Sequence, residues 1–122
     1  MAGILIIDDE VHIREMLRAI LSREGFTVQT AVNGLDGLNK VIAGPPRLVV
    51  TDIIMPECEG IETIRTLRKS FPDVRILAMS GGGRYGAFTF LEMASKLGAH
   101  ATIAKPFARA QVVALVRDLL KG

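Results

Sequence analysis

Leu48-Val49-Val50 is an unbroken aliphatic run that passes through Thr51 onto one carboxylate, Asp52, and is stopped by Pro56 after Ile53-Ile54-Met55. A continuous run, unlike an alternating one, suits a strand covered on both faces, as strands of a parallel sheet are. Asp52 is then the first polar group beyond the core. In open parallel sheets ligands bind in the crevice beyond the carboxyl ends of the strands. What the chain can do therefore depends on the polar residues that follow its other aliphatic runs.

Gly3-Ile4-Leu5-Ile6-Ile7 is a second such run, and it ends on Asp8-Asp9-Glu10. Ile13, Met16, Leu17, Ile20 and Leu21 then recur at helical spacing up to Gly25, with Arg14 and Arg18 on the opposite, solvent-facing side. Phe26 to Ala31 reads as a more exposed strand, and Leu35 to Ile42 as a short helix broken by Gly44-Pro45-Pro46. A helix is predicted from Glu59 to Lys69, before Pro72. A fourth strand over Val74 to Met79 ends on Ser80 and opens into Gly81-Gly82-Gly83. Phe88, Leu91, Ala94 and Leu97 mark the inner face of the next helix. Ala101 to Ala104 forms a weak fifth strand ending on Lys105-Pro106-Phe107, and Val112, Val116 and Leu119 mark the last helix. Strands alternating with helices through short turns predict right-handed βαβ units and an α/β, doubly wound, five-stranded parallel sheet.

A chain of 122 residues can bury roughly two-thirds of its unfolded surface, enough for one core without a staple. With no linker in view, a single domain over residues 1–122 is expected, without an output domain in this chain. Cys58 alone cannot form an internal disulfide, and neither a leader nor an apolar run of about 18 residues is present, which predicts a cytoplasmic setting and no membrane insertion. A net charge of +2, with arginines scattered in pairs, argues against direct binding to nucleic acid.

Four predicted strands thus deliver Asp8 and Asp9, Asp52, Ser80 and Lys105 to one edge. Singly each has an ordinary explanation, as a helix cap, a turn residue or a solvated charge. Together they make a site. Converging carboxylates repel and raise one another's pKa values, so the cluster implies a bound cation, with Lys105 as a second positive charge. Oxygen ligands favour a hard ion such as Mg2+. A carboxylate beside such an ion, a lysine and a hydroxyl is equipment for phosphoryl transfer to that carboxylate, with Asp52 as nucleophile. Asp9 would hold the metal and Asp8 orient it. Lys105, Ser80 and the backbone N–H of Gly81 would meet phosphoryl oxygens.

These residues resemble the receiver domains of response regulators in two-component signalling. The resemblance covers the whole chain through Ile6-Ile7-Asp8-Asp9-Glu10, Asp52-Ile53-Ile54-Met55-Pro56 with Gly60 behind it, Met79-Ser80-Gly81 and Lys105-Pro106-Phe107. It implies a flavodoxin-like fold of strand order 2-1-3-4-5. It also implies phosphorylation of Asp52 by a sensor histidine kinase or a histidine phosphotransfer protein, with a downstream protein target. Mg2+ would be bound by Asp9, Asp52 and the Ile54 carbonyl, with Asp8 in the metal site, while Ser80 and Lys105 sense the phosphoryl group. A cis Lys105-Pro106 bond is implied as well. The same resemblance leaves open a phosphate-shuttling or sink role, or the receiver part of a longer regulator. A phosphatase with an aspartyl-phosphate intermediate fits less well, because Asp52-Ile53-Ile54 lacks the second acid of Asp-x-Asp. A flavin protein of this topology fits poorly with an acidic first loop.

Three positions depart from the family pattern. Thr102 stands where an aromatic switch residue is usual, Gly81-Gly82-Gly83 follows Ser80 where alanine is common, and Ala108 is a poor N-cap for the last helix. The glycine run from Gly81 to Arg84, next to Tyr85, is accordingly the predicted element of signal output. His12 and His100 read as partly exposed structural histidines, with His12 the nearer to a phosphate. Cys58 reads as a packing or loop residue with no base placed to activate it, and Met16, Met55, Met79 and Met93 as core filling.

Overall fold

The aliphatic runs pair side by side into one parallel sheet of order β2-β1-β3-β4-β5 in a computed structural model that describes residues 3–53, 59–81 and 87–121. The strands are β1 Gly3–Ile7, β2 Thr27–Ala31, β3 Leu48–Asp52, β4 Arg75–Gly81 and β5 Ala101–Lys105. The helices are α1 Val11–Arg23, α2 Gly34–Ala43, α3 Glu59–Ser70, α4 Ala87–Leu97 and α5 Arg109–Leu120. Type, number and order agree with the pattern of the sequence. Ends shift by a residue or two, most at β4, which continues through Ser80 to Gly81.

Alternation along the central strands builds three layers. Ile4 and Ile6 pack with Leu17 and Leu21 of α1 and Val112 and Val116 of α5. Leu5 and Ile7 face the other way, onto Val41 of α2, Ile64 and Leu67 of α3 and Ala94 of α4. All four β1 aliphatics are buried, each contributing about 1.5–3 kcal/mol relative to exposure. The outer strand β2 alternates instead, and the Lys40 ammonium donates to the Thr30 carbonyl on it, a charge that discourages further strand pairing at a free edge.

Chain direction is set locally. The Asn33 side chain accepts from the Asp36 N–H at 2.8 Å, while Asp36 Oδ2 accepts from the Val32 N–H at 3.0 Å, a reciprocal cap that starts α2. Ala108 caps α5 with no side-chain hydrogen bond, and Gly25 ends α1 with φ +94°. Arg109 and Arg117 both pair with Glu24, and Arg117 also lies 5.6 Å from the Phe26 ring centroid, fastening the end of α1 to α5.

Two expectations about the interior need correction. Met79 is core, but Met16 is 40% and Met93 41% exposed, because each lies on the outward arc of its helix and the sheet side is already filled by Leu17 and Ala94. Ile54, Met55, Cys58 and the stretch from Gly82 to Tyr85 lie outside the described residues, and so does the output role expected of the glycine run. Among the described residues no helix is long and apolar enough to cross a membrane.

Candidate functional site

Register brings the strand ends level. Ile7 pairs with Thr51, Asp52 with Met79, Ser80 with Ala104 and Gly81 with Lys105. The first residues past β1, the last of β3 and the ends of β4 and β5 therefore share one edge, as the sequence predicted for Asp8, Asp9, Asp52, Ser80, Gly81 and Lys105.

Asp8 is the most constrained of them. Its N–H donates to the Ala31 carbonyl at 3.2 Å, and its side chain is fully buried. Oδ1 accepts from the Glu10 N–H at 2.9 Å, and Oδ2 accepts from the Lys105 ammonium at 2.9 Å. The Asp8 carbonyl accepts from Arg14 Nη1 at 2.8 Å. Both carboxylate oxygens are thus committed, which fits Asp8 as the residue that orients the site. Asp9 and Glu10 are exposed beside it, and ligand oxygens of Asp8, Asp9 and Glu10 all fall within 4.8 Å of one another.

Asp52 is 3% exposed at the end of β3, with Oδ2 3.6 Å from the Lys105 ammonium. The Ile53 N–H donates to the Met79 carbonyl at 2.9 Å, so strand pairing continues one residue past Asp52 and holds it against β4. The Thr51 hydroxyl donates to the Asp52 carbonyl at 3.0 Å. Gly60, buried in the first turn of α3, touches the same place from behind. A Cβ there would stand 2.4 Å from Ile53 Cα and 2.5 Å from the Asp52 carbonyl oxygen, so only glycine lets the helix approach this closely.

Ser80 is buried inside β4, its hydroxyl 3.4 Å from the Gly81 carbonyl, and Gly81 lies against the Lys105 stem. Burial pulls the Lys105 pKa down, but the hydrogen bond it donates to Asp8 and the charges of Asp52 and Asp8 outweigh it, so the ammonium stays above its ordinary value. The Lys105-Pro106 bond is cis. The Ile54 carbonyl, expected as a metal ligand, lies outside the described residues.

The donor set suits a hard cation. Asp8, Asp9, Glu10 and Asp52 bring four formal negative charges against the two positive charges of Lys105 and Arg14, and a divalent ion on carboxylate oxygens would balance the remainder. A surface cavity of about 370 Å³ lined by Pro46, Arg47, Arg75 and Leu120 sits at the opposite ends of the strands.

Sequence reasoning set Arg14 on the solvent face of α1. The structure corrects this: the side chain is half-buried and turns back onto Asp8. The available signal was its place one helical turn after Glu10, since helical side chains lean toward the N-terminus. Glu10 likewise enters the carboxylate cluster, as the third acid of its run. His12 is exposed. His100 is structural, accepting the Ile76 N–H at 3.1 Å through Nδ1.

The family model described as "Response regulator receiver domain" matches residues 4–117. The Haemophilus influenzae protein named "Transcriptional regulatory protein CpxR homolog" is 32% identical over 121 residues, 99% of this chain and 51% of that protein. The Mycobacterium ulcerans "Response regulator MprA" is 34% identical over 120 residues, 97% of this chain and 50% of its own length. The chain thus spans about half the length of these curated relatives. Among solved structures, the receiver domain of NtrX from Brucella abortus superposes with a TM-score of 0.89 at 30% identity, covering 96% of this chain and 97% of that one. The chemotaxis response regulator CheY4 of Vibrio cholerae, at 24% identity and a TM-score of 0.87, covers 98% of this chain and 99% of its own and shares the fold.

Proposed function

Because this chain belongs to the response regulator receiver domains of two-component systems, we propose that it accepts a phosphoryl group on Asp52 from the phosphohistidine of a sensor kinase or a histidine phosphotransfer protein. The observation that carries the reading is the Lys105 ammonium held 2.9 Å from Asp8 and 3.6 Å from Asp52. That arrangement sets one carboxylate directly beside a fixed positive charge.

An Asp52 oxygen attacks phosphorus, the P–N bond to the donor imidazole breaks as the O–P bond of an acyl phosphate forms, and the departing nitrogen takes a proton from water. Lys105 meets a phosphoryl oxygen, and the Ser80 hydroxyl, buried at the end of β4, can rotate to meet another. The Gly81 N–H is a further candidate donor. Mg2+ held by Asp9 and Asp52, with Asp8 behind them and the Ile54 carbonyl as an additional ligand, would offset the charge that gathers on the transferring group. Residues 1–122 act as one receiver unit that signals by protein contact rather than by touching nucleic acid.

Intact mass after incubation with acetyl phosphate and MgCl2 tests this. One added phosphoryl group is expected in the wild type, none in Asp52→Asn, and none with chelator or in Asp9→Ala. Labelling of Asp52→Asn, or undiminished labelling in chelator, would overturn the assignment.

A further inference from the structure

We infer that Arg14 is a positioning residue of the acidic site: by holding the Asp8 carbonyl it fixes the Asp8-Asp9 peptide and thereby aims the Asp9 carboxylate at the cation. This rests on the reading of that site as Mg2+-dependent. Residue 8 is pinned at its N–H by Ala31, at Oδ1 by the Glu10 N–H, at Oδ2 by Lys105 and at its carbonyl by Arg14. Only the last of these acts on the peptide plane that leads into Asp9. Asp9 itself is exposed, so its direction is inherited from that plane.

The contact is specific to this arginine. The Arg14 N–H donates to the Glu10 carbonyl at 3.2 Å in the first turn of α1, and from there the stem leans back toward the helix start. Arg18, one turn further on, is exposed and among the described residues pairs with Glu15, at 4.0 Å. Ligand-orienting groups behind the metal ligands commonly matter nearly as much as the ligands themselves.

Two physical effects of Arg14 oppose each other, which makes the inference decisive to test. As a nearby positive charge it repels a cation, so charge alone predicts tighter Mg2+ binding once it is removed. As a positioning group it predicts the reverse. The experiment is an NMR titration of the Asp9 and Glu10 amides with MgCl2 in the wild type, Arg14→Ala, Arg14→Met and Arg14→Lys, with a denaturant midpoint for each. Arg14→Met keeps the stem but has no donor, whereas Arg14→Lys keeps a donor for the same carbonyl.

Arg14→Ala and Arg14→Met are expected to bind Mg2+ about tenfold more weakly, the lower end of the range for such outer groups, with Arg14→Lys within about threefold of wild type. Equal or tighter binding in Arg14→Met overturns the inference. Should Arg14→Ala fail to fold, the Met and Lys variants decide: equal affinities overturn it, and retention by Lys alone supports it. A wild type that binds no Mg2+ overturns both this inference and the metal-dependent reading. A wild type that binds Mg2+ as well as Arg14→Met does overturns this inference alone.

Discussion

The Lys105 ammonium lies 2.9 Å from Oδ2 of Asp8, although 97 residues separate the two and β3 and β4 stand between their strands. The pair closes the sheet edge from its fifth strand to its first, crossing over Asp52 on the way. It also gives a fully buried carboxylate its only ammonium among the described residues.

Lys105→Met should therefore destabilise the protein by about 3 kcal/mol, the low end for breaking a buried pair, because it leaves an uncompensated charge. Adding Asp8→Asn should recover part of the loss. Denaturant midpoints at neutral pH test the cycle. The Lys105 pKa is raised in the fold, so this stability is fully present below the ordinary lysine pKa of 10.5 and is lost as pH rises through the higher native value.

Gly60→Ala and Gly25→Ala should differ. At Gly60 the three atoms nearest the new methyl are backbone, at 2.4–2.8 Å in Ile53 and Asp52, and overpacking of this kind costs about 1–3 kcal/mol. At Gly25 nothing lies within 4 Å, and only the backbone conformation resists, at φ +94°, for about 1 kcal/mol. Because Gly60 abuts Asp52, Gly60→Ala should also slow phosphorylation by acetyl phosphate, whereas Gly25→Ala should not. Equal labelling rates would contradict the role given to Gly60.

Ala108 begins α5 without a side-chain cap. Ala108→Ser or Ala108→Asp should raise stability by about 1 kcal/mol by satisfying an orphan N–H. A midpoint that stays put or falls would show that the helix does not use the new oxygen.

His100 accepts the Ile76 N–H through Nδ1 and faces the Arg68 guanidinium across 3.4 Å. Burial first, then the charges of Arg68 and Arg75, lower its pKa. The native state thus binds fewer protons than the unfolded chain below pH 6.5, the ordinary value, and stability should fall as pH drops from there to the lowered native pKa. His100→Asn should flatten this segment of the stability profile. An unchanged slope would show that other groups produce it.

The sequence by itself determined which residues meet at the strand ends. Short aliphatic runs as unbroken as Ile4 to Ile7 and Leu48 to Val50, bounded by turn residues and alternating with helical patterns, suit buried strands, and in a parallel sheet every such strand ends on the same edge. Asp8, Asp52, Ser80 and Lys105 were therefore legible without coordinates. Ala108 was legible for a similarly local reason, since a cap depends on one residue and its next turn. Tertiary structure alone decided matters that depend on where a long or small side chain finds a partner. Helical phase put Arg14 on the solvent face, yet its flexible stem returns to the Asp8 carbonyl. Met16 and Met93 have core-like chemistry, but the space beneath α1 and α4 was already taken. The close approach of Gly60 to Asp52 exists only once α3 has docked. Periodicity fixes the direction of a backbone, whereas the last few ångströms of a side chain are fixed by its neighbours, and those are brought together only by the fold.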